Sequence, residues 1–200
     1  LARSGLSDKT ELINKAGAEI AKRAVGKAAY VAGSIGPTGL TPSELRRTEK
    51  RVLQAYTEQA QLLSESGVDL LAVETFEHPE ELRLAVQAVR KASSLPLIAQ
   101  ISLNDNGQCV DGTAPADLAK EIHDWGADVV GANCNGGPAL IFDFVSQMVT
   151  SGIPVCTFPN AGRPQRVEDR QIYLATPENF GVFARRLFKA GVKMVGGCCG

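Results

Sequence analysis

Val192-Lys193-Met194-Val195-Gly196-Gly197-Cys198-Cys199-Gly200 ends the sequence. An apolar run leads into paired glycines, and the glycines lead into two adjacent thiols. Such a run reads as a short buried strand whose end opens into a turn. A second stretch has the same form: Val129-Val130 leads into Gly131-Ala132-Asn133-Cys134-Asn135-Gly136-Gly137. Two strand ends that each carry cysteine into a glycine-rich turn predict a three-thiolate metal site. Thiolates at Cys134, Cys198 and Cys199 suit zinc with its fourth position open. Zn–S bonds are about 2.3 Å, so the sulfurs must lie within about 4 Å of one another. Residues this far apart in the chain meet only if both strands deliver them to one shared face.

Working outward from those ends, strand-like and helix-like segments alternate along the whole chain. Helices are predicted over 8–25, 43–66, 79–92, 115–125, 138–150 and 177–191, and strands over 29–32, 70–73, 97–101, 128–130, 153–157 and 192–195. Ser7 or Asp8 would cap the first helix, and Thr176 with Pro177 starts the last. Residues 33–39 and 159–173 read as loops. Strict alternation implies parallel strands joined by right-handed helical crossovers. No Gly-x-Gly-x-x-Gly joins a strand to a helix, so there is no dinucleotide fingerprint. Polar and reactive residues instead follow each strand: Ser34, Glu74, Ser102, Asn133-Cys134, Asn160 and Cys198-Cys199. In a (β/α)8 TIM barrel those strand ends converge on one face, where active sites lie. The expected fold is therefore α/β, a (β/α)8 barrel. Six visible units predict an incomplete window, without about the first two strands and the last helix. Residues 1–200 form a single domain in this reading.

Composition narrows the function. The chain has 200 residues, 44% hydrophobic and 22% charged, with a net charge of -1. That balance offers no basic surface for nucleic acid or an anionic membrane. No apolar stretch reaches the roughly 18 residues that cross a bilayer. Leu1 is not a methionine, and the sequence reads as part of a longer protein. Five cysteines, two of them adjacent, argue against a disulfide scaffold and for a reducing cytoplasm with metal-binding thiols. Cys109 and Cys156 read as buried core thiols. His78 and His123 read as solvated or packed rather than as ligands, and Arg163 and Arg166 as surface charges.

Gly131-Ala132-Asn133-Cys134, Pro159-Asn160-Ala161-Gly162 and Gly196-Gly197-Cys198-Cys199-Gly200 together resemble the homocysteine S-methyltransferase domain. Gly33-Ser34-Ile35-Gly36-Pro37-Thr38-Gly39 and Glu74-Thr75-Phe76-Glu77 add to the likeness, which runs over essentially the whole chain in the right order. The resemblance implies a zinc-containing (β/α)8 barrel that methylates homocysteine to methionine. It implies zinc on Cys134, Cys198 and Cys199, and help from Glu74 and Asn160 in binding the amino acid. It also implies partners: homocysteine, a methyl donor, and further domains that bring cobalamin or folate.

The residues themselves agree with that chemistry. A carboxylate at a strand end, Glu74, can pair with an ammonium, or it can cap the helix near Pro79. Asn160 can donate and accept at once, or it can simply form a turn. Ser34 and Gly36 lie in a loop whose N–H groups could hold a carboxylate, or which could merely connect strand to helix. Asn133 could support a sulfur or only a turn. Two other readings stay open: methyl transfer to a different thiol, and a metal-storage or redox-sensing barrel with no transfer chemistry.

Overall fold

The computed structural model describes residues 5–134 and 136–200; Leu1 and Asn135, both named above, lie outside the described residues. Its strands are β1 (Ala32–Ile35), β2 (Leu70–Phe76), β3 (Leu97–Ile101), β4 (Val129–Cys134), β5 (Val155–Pro159), β6 (Gln165–Val167), β7 (Arg170–Ile172) and β8 (Met194–Val195). Its helices are α1 (Thr10–Val25), α2 (Pro42–Glu65), α3 (Pro79–Ala92), α4 (Pro115–Asp124), α5 (Pro138–Val149) and α6 (Pro177–Ala190).

Six strands form one parallel sheet in the order β1-β2-β3-β4-β5-β8. A doubly wound sheet reverses its order at a switch point. This one never reverses. With right-handed crossovers throughout, all helices fall on one side and the sheet curls into a barrel wall. Helices pack in chain order on the outside, α1 on α2, α2 on α3, α4 on α5 and α5 on α6. The predicted α/β barrel architecture is the one observed.

The strands alternate between two environments. Leu71, Val73, Ile101, Val130 and Val155 point outward into one core shared with helix residues such as Leu82 and Ile122. Ala72, Ile98 and Cys156 point inward and form a separate small cluster with Phe158. Gly131 also faces inward, and a side chain there would collide with the backbone carbonyl of Cys156 on β5. Glycine at that position lets β4 and β5 approach closely just below Cys134.

Helix starts are marked in the sequence. α2 to α6 each begin with proline, whose fixed φ suits the first helical position. Thr41 and Glu44 form a reciprocal capping box on α2. Thr176 caps α6 through Asn179, as expected from its sequence. α1 differs: it starts at Thr10 after a short 3-10 turn, and neither Ser7 nor Asp8 caps it. α6 ends at Gly191, which takes the left-handed conformation that glycine tolerates (φ 104°).

Several boundaries differ from expectation: β5 lies two residues later (Val155–Pro159) and β8 is shorter (Met194–Val195). β1 covers 32–35 rather than 29–32, because the Asp69 carboxylate takes the Val31 N–H (2.7 Å) in place of a strand neighbour. Gly33, Ser34 and Ile35 are therefore strand, not loop. β2 and β4 run further than predicted, through Glu74-Thr75-Phe76 and Asn133-Cys134, because both ends stay paired to neighbours. Residues 165–172, expected as loop, fold into the antiparallel β6–β7 hairpin.

Candidate metal centre

β4 ends on Cys134, and the turn after β8 carries Cys198 and Cys199. Their three sulfurs lie within 4.8 Å of one another, the only such His/Cys/Asp/Glu group among the described residues. Cys198 Sγ and Cys199 Sγ are 4.0 Å apart. Tetrahedral zinc with about 2.3 Å bonds needs sulfurs about 3.8 Å apart, so the set fits after only small movements. Cys134 is half-buried, while Cys198 and Cys199 are exposed.

Backbone bonds hold the terminal turn in place. Gly196 N donates to Thr157 O (3.0 Å), Cys198 N to Pro159 O (3.1 Å), and Ala161 N to Cys199 O (2.8 Å). The buried Asn160 closes this clamp: its Oδ1 accepts the Cys199 N–H at 2.9 Å. One acceptor of Asn160, expected for substrate, is thus engaged inside the protein.

The thiols are electrostatically crowded. Burial, then the charge and hydrogen bond of Cys134, then those of Cys199, push the Cys198 thiol up to about 12. The crowding falls on Cys198, and a divalent cation would relieve it by stabilising the thiolate. Tyr173, just past the hairpin, reaches the same cluster. Burial first, then the charge and hydrogen bond of Cys199, raise its phenol above the usual range.

Across the mouth, Glu74 is half-buried at the end of β2, and Ser34 Oγ donates to its Oε1 at 2.5 Å. It does not cap α3, whose N-cap is His78. Between Glu74 and the cysteines lies Asn133, fully buried. Its Oδ1 accepts from Thr75 N (2.9 Å), and its Nδ2 donates to Thr75 Oγ1 (2.9 Å). Nδ2 also sits 3.5 Å from Glu74 Oε2 and 3.8 Å from Cys198 Sγ. Thr75 (φ 69°) and Cys134 (φ 65°) are two of three non-glycine residues with positive φ among the described residues. For a β-branched residue this is a rare, costly conformation, and such positions gather at functional sites.

Gly36 is exposed beside this mouth, and a side chain there would meet open space. Its loop is held by Thr38, whose N–H (2.8 Å) and hydroxyl (2.6 Å) both donate to buried Glu81. Tyr56 donates to the same oxygen at 2.7 Å. A cavity of about 310 Å³ opens beside Cys198 and Cys199, walled by Pro159, Ala161, Thr176 and Phe180.

The remaining candidates fall outside the site. Cys109 and Cys156 are buried free thiols. His123 Nδ1 bonds Ala127 O at 2.8 Å, a packed histidine. Arg163 pairs with Asp105 (3.5 Å) and Arg166 with Asp169 (3.4 Å). Thr75, Tyr173 and Glu81 are the residues that sequence reasoning did not single out. Thr75 carries no local signal of its positive φ. Tyr173 reaches the thiols only because the hairpin brings it back.

A family model described as Homocysteine S-methyltransferase matches residues 1–200. The chain belongs to the homocysteine S-methyltransferase family. It is 30% identical to methionine synthase of Mycobacterium leprae, over 98% of this chain and 17% of that protein. It is also 30% identical to betaine–homocysteine S-methyltransferase 1 of Danio rerio, over 98% of this chain and 52% of that one. The chain thus spans about half or less of these curated relatives. Its fold matches the homocysteine methyltransferase MmuM of Escherichia coli in the apo form, with a TM-score of 0.73 at 18% identity. That match covers 96% of this chain and 69% of the other. A metallated form of MmuM matches with a TM-score of 0.68 at 20% identity, over 94% and 66%. Among the described residues no helix is long and apolar enough to cross a membrane.

Proposed function

We propose that residues 1–200 form one methyltransferase domain that transfers a methyl group to the thiol of homocysteine, giving methionine. Cys134, Cys198 and Cys199 would hold zinc. The observation that carries this reading is the gathering of three sulfurs from two strand ends within 4.8 Å at the mouth of the barrel wall. When bound, zinc supplies the charge that lets an incoming thiol lose its proton near neutral pH, where a free thiol (pKa about 8.5) is mostly protonated.

The chain's own residues do the rest. Glu74 faces the mouth with a carboxylate oriented by Ser34, and it pairs with the substrate ammonium. Asn160 fixes the Cys199 backbone, so that its remaining amide N–H group serves the amino-acid end. Gly36 lies on the loop that Glu81 fixes and adds backbone N–H groups for the substrate carboxylate. The cavity beside Cys198 and Cys199 gives the methyl donor an approach to the reacting sulfur. No side chain is needed to shuttle a proton once the thiol has ionised. This reading places the protein in the cytoplasm, with a methyl donor and with other domains that present cobalamin or folate as partners. Its relationship to methionine synthase, of which the chain covers 17%, supports those partners.

The test is calorimetric titration of homocysteine into the zinc-loaded chain in two buffers of different ionisation enthalpy. Binding with release of about one proton supports the reading. Equal heats with methionine, or no proton release, overturn it. A series of other small thiols in the same assay decides whether a different thiol is the substrate.

A further inference from the structure

We propose that Asn133 is a positioning residue that couples the two halves of the site, sharing one amide N–H between the Cys198 sulfur and the Glu74 carboxylate. The inference rests on the metal-binding part of the reading above and extends it.

A carboxamide has two donor hydrogens and one acceptor oxygen. In Asn133 the oxygen is used by Thr75 N and one hydrogen by Thr75 Oγ1, both at 2.9 Å. These two bonds hold the amide rigidly against the positive-φ turn at Thr75. The second hydrogen is left with two acceptors on the same side, Glu74 Oε2 at 3.5 Å and Cys198 Sγ at 3.8 Å. Asn133 is fully buried, so water does not compete for that hydrogen. Its backbone is equally fixed, with the carbonyl accepting from Ser102 Oγ at 3.1 Å. A hydrogen drawn to the sulfur is withdrawn from Glu74. Metal replaces the thiol proton, and the metal-bound sulfur accepts a hydrogen bond better than a thiol does, which leaves Glu74 Oε2 open for the substrate ammonium. Metal loading and amino-acid recognition are linked through one side chain, and that linkage is reciprocal.

The experiment uses Asn133→Asp and Thr75→Ala in the full chain. Asn133→Asp keeps the shape and the oxygen that accepts from Thr75 but removes both donors. Thr75→Ala removes only the hydroxyl and leaves Asn133 its donors. Zinc affinity is measured by chelator competition, and the sulfur-to-metal charge-transfer band is read after cobalt(II) substitution. Melting of the metal-free chain reports folding. We expect Asn133→Asp to lower zinc affinity about 10- to 100-fold and to move the band to lower energy. The buried carboxylate beside Glu74 also lowers the metal-free melting temperature, so affinities are compared at a temperature where the metal-free variant is folded. Thr75→Ala should leave affinity and band at or above the wild-type values. An equal loss in both variants means that Asn133 only stiffens the turn, and overturns the proposal; so does wild-type behaviour in Asn133→Asp. Should Asn133→Asp not fold, Asn133→Ser serves in its place, judged by the same outcomes. None of these readouts uses homocysteine, so failure of methyl transfer leaves them standing. A wild-type chain that takes up neither metal overturns both.

Discussion

Leu97, Ala99 and Ile101 of β3 point out under the helices, while Ile98 and Gln100 of the same strand point into the barrel. On β3 the outward set is apolar throughout. The inward set mixes small, sulfur-bearing and polar groups: Ala72, Gly131, Cys156, Gln100 and Asn133. Gln100 donates to Cys156 Sγ at 3.3 Å, and its Oε1 has no partner among the described residues. The outward face excludes water over a broad area and so fixes the fold. The inward face gives up some of that stabilisation to place polar groups at exact depths below the mouth. Stability and chemistry are thus separated by the two-residue period of a strand.

If that separation is real, substitutions on the two faces fail in different assays. The largest effect is expected at the mouth. Cys134→Ser should weaken zinc binding by about 100- to 1,000-fold, since binding of about 10–16 kcal/mol is shared among few ligands. Chelator competition measures it, and the metal-free melting temperature should hardly move. Leu71→Ala, at a fully buried outward position, should do the reverse. It should cost about 2–5 kcal/mol of stability in urea unfolding and leave metal affinity unchanged. A Leu71→Ala chain that also lost its metal would break the comparison.

Glu74→Gln keeps the Ser34 contact but removes the charge. The affinity for homocysteine should fall roughly tenfold or more, in line with a charge-assisted bond of about 1.5–3 kcal/mol. Zinc affinity should hold or rise slightly, because a neutral amide competes less with the Cys198 sulfur for the Asn133 hydrogen. The smallest effect concerns pH. Burial moves the Cys156 thiol from 9.0 to about 12. A raised pKa means that the folded state holds the proton longer than the unfolded one. The stability this brings is complete below pH 9 and is lost as pH rises toward 12. Cys156→Ala should flatten that slope in alkaline urea titrations of the metal-free chain.

Much of this was legible in the sequence. Helix starts announced themselves through proline and Thr176, and strand order followed from alternation and handedness. The three cysteines were legible because glycine-flanked thiols at two strand ends have few structural uses. What escaped was the depth of the strands. Leu70-Leu71-Ala72-Val73 is apolar on both faces, so periodicity could not show where pairing stops, and Glu74-Thr75 was placed just beyond it. Asn160 was expected at the substrate; the bond the structure gives it, to the Cys199 N–H, depends on a contact between segments distant in the chain, which no local pattern encodes. The β6–β7 hairpin was missed because three-residue strands, exposed throughout, carry no hydrophobic alternation.

β8 joins the sheet through only two register pairs, Cys156 with Met194 and Thr157 with Val195. The seam between β5 and β8 is therefore thinly stitched. A cation gripped by Cys134 on one side and Cys198-Cys199 on the other would act as a rivet across it. Chelation should then loosen the terminal strand before any other part of the wall, and amide exchange at Met194 and Val195 should quicken first.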